Sequence, residues 1–105
     1  MIVTTTNFVE NREVEEYIGL VCGEVIEGLN FLKDLGAGLR NIIGGRSAGY
    51  EKGVIEGREE AVEEMKARAS ELGADAVIGV QFDYESVVEG MLMISCVGTA
   101  VKLKK

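Results

Sequence analysis

The chain has 105 residues, 47% hydrophobic and 28% charged, with a formal net charge of -7, no His, no Pro and two Cys. This is the size and composition of one globular domain whose single core takes in roughly 65% of the surface an unfolded chain exposes. The acidic balance argues against general nucleic-acid binding, which draws its affinity from Lys and Arg on phosphates. The lack of His removes the usual near-neutral general base, the commonest metal ligand and every Ser-His or Cys-His nucleophile.

In chain order, Ile2 to Thr6 is β-branched throughout and reads as a short strand ended by Asn7 and the polar stretch Glu10 to Glu13. No basic n-region precedes an apolar block there. The most apolar stretch, Tyr17 to Leu32, is interrupted by Glu24 and Glu27, so neither a signal peptide nor a membrane span is expected and a cytoplasmic location follows. From Val14 to Ile26, alternation puts Tyr17, Gly19, Val21, Gly23 and Val25 on one strand face and Ile18, Leu20, Cys22, Glu24 and Ile26 on the other. Both faces are mostly apolar. Asn30 then caps a short helix expected over Phe31 to Ile43, with Phe31, Leu35, Leu39 and Ile42 at helical spacing and Gly44-Gly45 closing it.

A longer helix is expected from Tyr50 to Leu72. Val54, Ala61, Val62, Met65, Ala69 and Leu72 form its apolar stripe, opposite Glu56, Glu59, Glu60, Glu63 and Glu64, and Gly73 supplies a left-handed stop. Ala74 to Tyr84 reads as a strand with Ala74, Ala76, Ile78, Val80, Phe82 and Tyr84 on one side. Met91 to Leu103 is another, joined to it by a hairpin at Glu89-Gly90. The order gives an α+β domain spanning residues 1–105, a mainly antiparallel sheet packed against one long helix plus a short helix. One helical layer cannot cover two apolar sheet faces, so self-association is expected to bury the second.

The stretch from Phe31 to Arg58 carries Lys33, Arg40, Arg46, Lys52 and Arg58 against Asp34, Glu51 and Glu56, a local +2 (five minus three) in an acidic chain. Within it, Gly44-Gly45-Arg46-Ser47-Ala48-Gly49 departs from a phosphate loop, because Tyr50-Glu51 follows where Lys and a hydroxyl residue belong. Gly36-Ala37-Gly38 departs from a dinucleotide fingerprint, with Asn41 in the third glycine's place and no strand ahead. Two readings remain. Arg46, Ser47 and the first turn of the long helix form a niche for a small anion, with Tyr50 and Arg40 on its rim. In the reading preferred here, the glycines let two helices join closely and Arg46 pairs with a carboxylate of a neighbouring subunit.

Cys22 and Cys96 lie on expected strands and could be spatial neighbours, or form rings of thiols around a symmetry axis suited to a soft metal, although buried cysteine more commonly acts as a small hydrophobe. The i, i+4 pairs Glu56/Glu60, Glu59/Glu63 and Glu60/Glu64 read as a solvated helix face, and Met91 and Met93 as core filling.

Three blocks resemble the YbjQ-like family of small uncharacterised proteins: Gly44-Gly45-Arg46-Ser47-Ala48-Gly49-Tyr50-Glu51-Lys52, Leu72-Gly73-Ala74-Asp75-Ala76-Val77-Ile78-Gly79-Val80, and Met91 to Ser95 followed by Gly98-Thr99-Ala100-Val101-Lys102. The resemblance implies a dodecin-like subunit assembled as a homopentamer, in a family often labelled heavy-metal-binding. It brings no catalytic residues. The leading expectation is a non-enzymatic homopentameric module, whose cargo would be a small anionic ligand at Arg40, Arg46, Ser47 and Tyr50 if that loop faces a ligand rather than the next subunit. The alternative is soft-metal binding or sensing through Cys22 and Cys96; an enzyme would need Glu51, Tyr50 or Arg46 in a cleft. No cofactor, catalytic residue or metal ligand is assigned, and neither nucleic acid nor membrane is an expected partner.

Overall fold

In the computed structural model, residues 1–27, 48–87 and 91–105 are described, residues 48–51 as backbone alone. Their elements are β1 (Ile2–Val3), β2 (Val14–Glu27), α1 (Ala48–Glu71), β3 (Ala76–Ser86) and β4 (Leu92–Leu103). The strands form one sheet in the order β1-β3-β4-β2. β4 pairs antiparallel with both β2 and β3, and β1 runs parallel to β3, so the mainly antiparallel α+β expectation is met with one parallel edge. The expected short helix at Phe31 to Ile43, its Gly44-Gly45 cap and the Glu89-Gly90 turn lie outside the described residues.

α1 ends as its sequence dictates. Gly73, at φ 81, lets the Ala74 N–H reach the Ala69 carbonyl at 3.1 Å and the Gly73 N–H reach the Ser70 carbonyl at 3.0 Å, the paired bonds that satisfy a helix C-terminus. The helix rests mainly on β2 and β4 and touches β3 least. Its buried line is Gly57, Ala61, Met65 and Ala69, one residue every four, so small side chains bring the helix close to the sheet. Leu72, expected in this stripe, is 50% exposed because the helix stops before it. Close approach needs Gly23 on β2, where a Cβ would overlap the Ala61 carbonyl oxygen and stand 2.8 Å from its carbon.

The core lies between α1 and the sheet: Val21, Ala61, Met65, Ala69, Val77, Val80, Cys96 and Ala100, with Ile18, Val25 and Phe82 packed against it. Strict alternation does not survive along two strands. In β3 the register shifts between Ile78 and Gln81, with Gly79 at φ 62. This bulge places Val77 on the helix side with Val80 and Phe82, and sends Ala76 and Ile78, expected on the Val80 side, to the opposite face. A second shift between Tyr17 and Gly19 in β2 turns Ile18 towards the helix-side core and leaves Tyr17 68% exposed. β1 is shorter than the expected Ile2 to Thr6, since its partner bulges. Thr4 and Thr6 still bond across the bulge, accepting from the Val80 and Gly79 N–H groups at 3.1 and 2.8 Å.

The far face of the sheet has two halves. At one end Ala76, Ile78, Val101 and Leu103 are buried beneath Val9 and Val14, so the chain covers this part itself. The other half, over β2 and β4, carries Leu20 (77% exposed), Ile26 (56%) and Val97 (40%), with half-buried Cys22 and Met93 among them.

Candidate functional site

Of the residues proposed for an anion niche, Arg40, Arg46 and Ser47 lie outside the described residues, and Tyr50 is described only as backbone in the first turn of α1. α1 begins at Ala48, within the Gly44 to Lys52 stretch. Lys52 there lies 4.0 Å from Glu56, an exposed i, i+4 pair.

The two cysteines sit on opposite faces of the sheet. Cys22 is opposite Val97 and Cys96 opposite Gly23, so adjacent register positions send the two thiols to different sides. Cys96 is buried under α1, its Sγ 3.4 Å from the Ala61 carbonyl oxygen and 3.7 Å from Met65 Sδ. Burial pushes its thiol pKa up, against a smaller lowering by the Gly23 backbone, with Cys22, Glu24 and Glu64 adding to the rise. Cys96 thus behaves as a protonated small hydrophobe, and the two thiols of one chain do not share a single ion. Among the described residues no cluster of three His, Cys, Asp or Glu could hold a metal ion.

The helix carboxylates form a solvated face, with part of it ion-paired. Lys66 lies 3.3 Å from Glu63, and Arg68 contacts Glu64. Glu27, at the end of β2, faces Glu60 and Glu56 across the position where Gly57 leaves room. Partial burial first, then the two like charges, raises its pKa. Met91, expected in the core, is exposed outside β4, and Met93 is half-buried on the far face.

Arg68 reaches round the sheet's β2 edge, donating to the Cys22 carbonyl at 2.7 Å and to the Glu24 carboxylate at 3.0 Å. The Glu24 hydrogen bond in turn holds the guanidinium above its ordinary pKa. Sequence reading did not single out this contact, because Arg68 and Glu24 are far apart along the chain. It also missed a groove of about 440 Å³ between the flank of α1 and β3, lined by Arg58, Glu59, Val62, Glu63, Phe82 and Tyr84. Its signal was present in the sequence: Phe82 and Tyr84 share a face two residues apart, and one helix is too narrow to cover every strand beneath it.

Comparison with known proteins places these features in a family context. A family model described as "Putative heavy-metal-binding", of the YbjQ type, matches residues 1–104. A UPF0145 protein of Acetivibrio thermocellus is 55% identical over 106 residues, covering 99% of this chain and 100% of its own length. One from Anoxybacillus flavithermus is 54% identical over 105 residues, with 100% of both chains covered. Among solved structures, a protein of unknown function in the DUF74 family from Pediococcus pentosaceus superposes with a TM-score of 0.67 over 99% of this chain and 98% of its own, at 17% identity, a likeness of fold. Among the described residues no helix is long and apolar enough to cross a membrane.

Proposed function

This chain belongs to the YbjQ family, and we propose that it is a non-enzymatic homopentameric module with a small anionic ligand as cargo near Gly44 to Lys52. The observation that carries the assembly is the half of the sheet's far face that the described residues leave uncovered, where Leu20, Ile26 and Val97 line up over neighbouring strands. The chain covers the other half of that face with its own Val9 and Val14, so the half left open among the described residues is the part offered to a second copy. A cyclic pentamer joins two different patches at each interface, and this one-sided apolar surface serves as one of them.

Leu20→Glu tests the assembly. Leu20 is 77% exposed within one chain, so the substitution leaves the protomer folded while placing a charge in the subunit contact. Light scattering should show the variant at lower mass with an unchanged far-ultraviolet spectrum; an unchanged mass contradicts the reading. For the ligand, thermal shifts with inorganic phosphate should be larger for the parent than for Arg46→Ala, and equal shifts remove the anion site.

Soft-metal binding is the second reading, favoured by the family description and by the half-buried Cys22 on the open face. Because Cys96 faces the other side of the sheet, the ion would be held by Cys22 thiols of several copies rather than by both cysteines of one. Elemental analysis of protein purified without chelator, repeated on Cys22→Ser and Cys96→Ser, should show metal lost with the first change alone. Metal content indifferent to Cys22 ends this reading.

A further inference from the structure

The groove between α1 and β3 lies beside a strand edge whose backbone groups are largely unused among the described residues. The Val80 N–H points outward, to the Thr4 carbonyl at 3.1 Å, whereas the Val87 N–H points inward, to the Met91 carbonyl at 3.3 Å. The register between Gln81 and Ser86 has no further shift, so the N–H and C=O groups of Phe82, Tyr84 and Ser86 all face outward. β1 pairs only with Ala76 and Val77 and does not reach this segment. Among the described residues a single outward N–H of the three is taken, that of Tyr84 by its neighbour Asp83 at 3.1 Å.

The two faces of this edge differ in chemistry. Towards α1 it presents Phe82 and Tyr84, with Val62 as the apolar part of the helix wall. Towards the other face it presents Asp83 and Glu85, both exposed, and the helix wall adds Glu59 and Glu63 against the single cation Arg58. A strand added here would place every second side chain in the aromatic groove and the others opposite carboxylates.

We propose that the free edge of β3 and the adjoining α1 groove form a docking site for an extended polypeptide segment in which apolar residues alternate with Lys or Arg. Main-chain bonds to Phe82, Tyr84 and Ser86 hold the segment, its apolar side chains enter the groove, and its cations face Asp83 and Glu85. The aromatic groove lies on the helix side of the sheet, opposite Leu20, Ile26 and Val97, while Asp83 and Glu85 stand at the β3 edge on the same face as those three.

The test is fluorescence anisotropy on the full chain with a capped, labelled peptide alternating Val and Lys, alongside one alternating Val and Glu. The Val-Lys peptide should bind in preference by roughly tenfold or more, from two cross-strand charge pairs made favourable instead of unfavourable. Ser86→Pro, which removes an outward N–H that the sheet itself does not use, should abolish binding without changing the thermal melt. The double change Asp83→Lys, Glu85→Lys should invert the preference in favour of the Val-Glu peptide. Failure of the Val-Lys peptide to bind the parent, undiminished binding by Ser86→Pro, or an unaltered preference in the double variant each overturns the proposal, the last two by revealing diffuse attraction to an acidic chain.

Discussion

Replacing Gly23 with Ala introduces one methyl group at the tightest contact between α1 and the sheet. That carbon would overlap the Ala61 carbonyl oxygen and lie 2.8 Å from its carbon and 3.0 Å from the Met65 nitrogen. All three atoms belong to helix backbone, so no rotamer change relieves the clash and α1 must lift by about 1.5 Å to restore ordinary contact. Lifting also loosens the contacts of Cys96 with Ala61 and Met65, at 3.4 and 3.7 Å. Overpacking of this kind costs about 3 kcal/mol, offset by about 0.5–1 kcal/mol because alanine loses less conformational freedom than glycine on folding. The net loss of about 2 kcal/mol lowers the melting temperature by roughly 8–16 °C in a domain of this size. Circular dichroism melts at matched protomer concentration measure it, since assembly makes the midpoint concentration-dependent. A variant that melts within about 2 °C of the parent would refute the tight seating of Ala61 over Gly23.

Two further predictions follow from the titrating groups. Glu27 has a folded-state pKa above its ordinary value of 4.5, from partial burial and then from Glu60 and Glu56, so its ionised form opposes folding. That penalty is fully present above the raised pKa and fades as pH falls towards 4.5; Glu27→Gln should therefore stabilise the protein at neutral pH and flatten stability across that weakly acidic window. An unchanged pH profile contradicts the assignment. Cys96, buried and with its thiol pKa raised, should resist iodoacetamide in the native protein at neutral pH and react at the ordinary rate in urea, and equal rates in the two states contradict its burial.

The elements with strong local signals were legible in the sequence. Gly73 marked the end of α1 because only a left-handed residue lets Ala74 bond back to Ala69, a β-branched run marked β1, and alternating faces marked β2 and β3. Side assignments failed where a bulge intervened. Strict alternation grouped Ile78 with Val80, but Gly79 adds a residue that separates them, and glycine in a strand announces a bulge without fixing its register. The helix stripe was read with Ala61, Met65 and Ala69 in it, and all three are buried, but without Gly57, a residue whose importance comes from the space it leaves. Cys22 and Cys96 could be placed on strands from sequence, yet only the β2–β4 register shows their thiols on opposite faces. For the β3 groove the shared face of Phe82 and Tyr84 was legible, but which strand the helix leaves bare depends on where it lies across the sheet, a tertiary fact.

Native mass spectrometry of the unmodified protein at micromolar protomer concentration bears most directly on the proposed covering of the Leu20, Ile26 and Val97 surface by a second copy. A homopentamer predicts a dominant species at five times the 11.3 kDa chain mass. A dominant species at the mass of a single chain would contradict it.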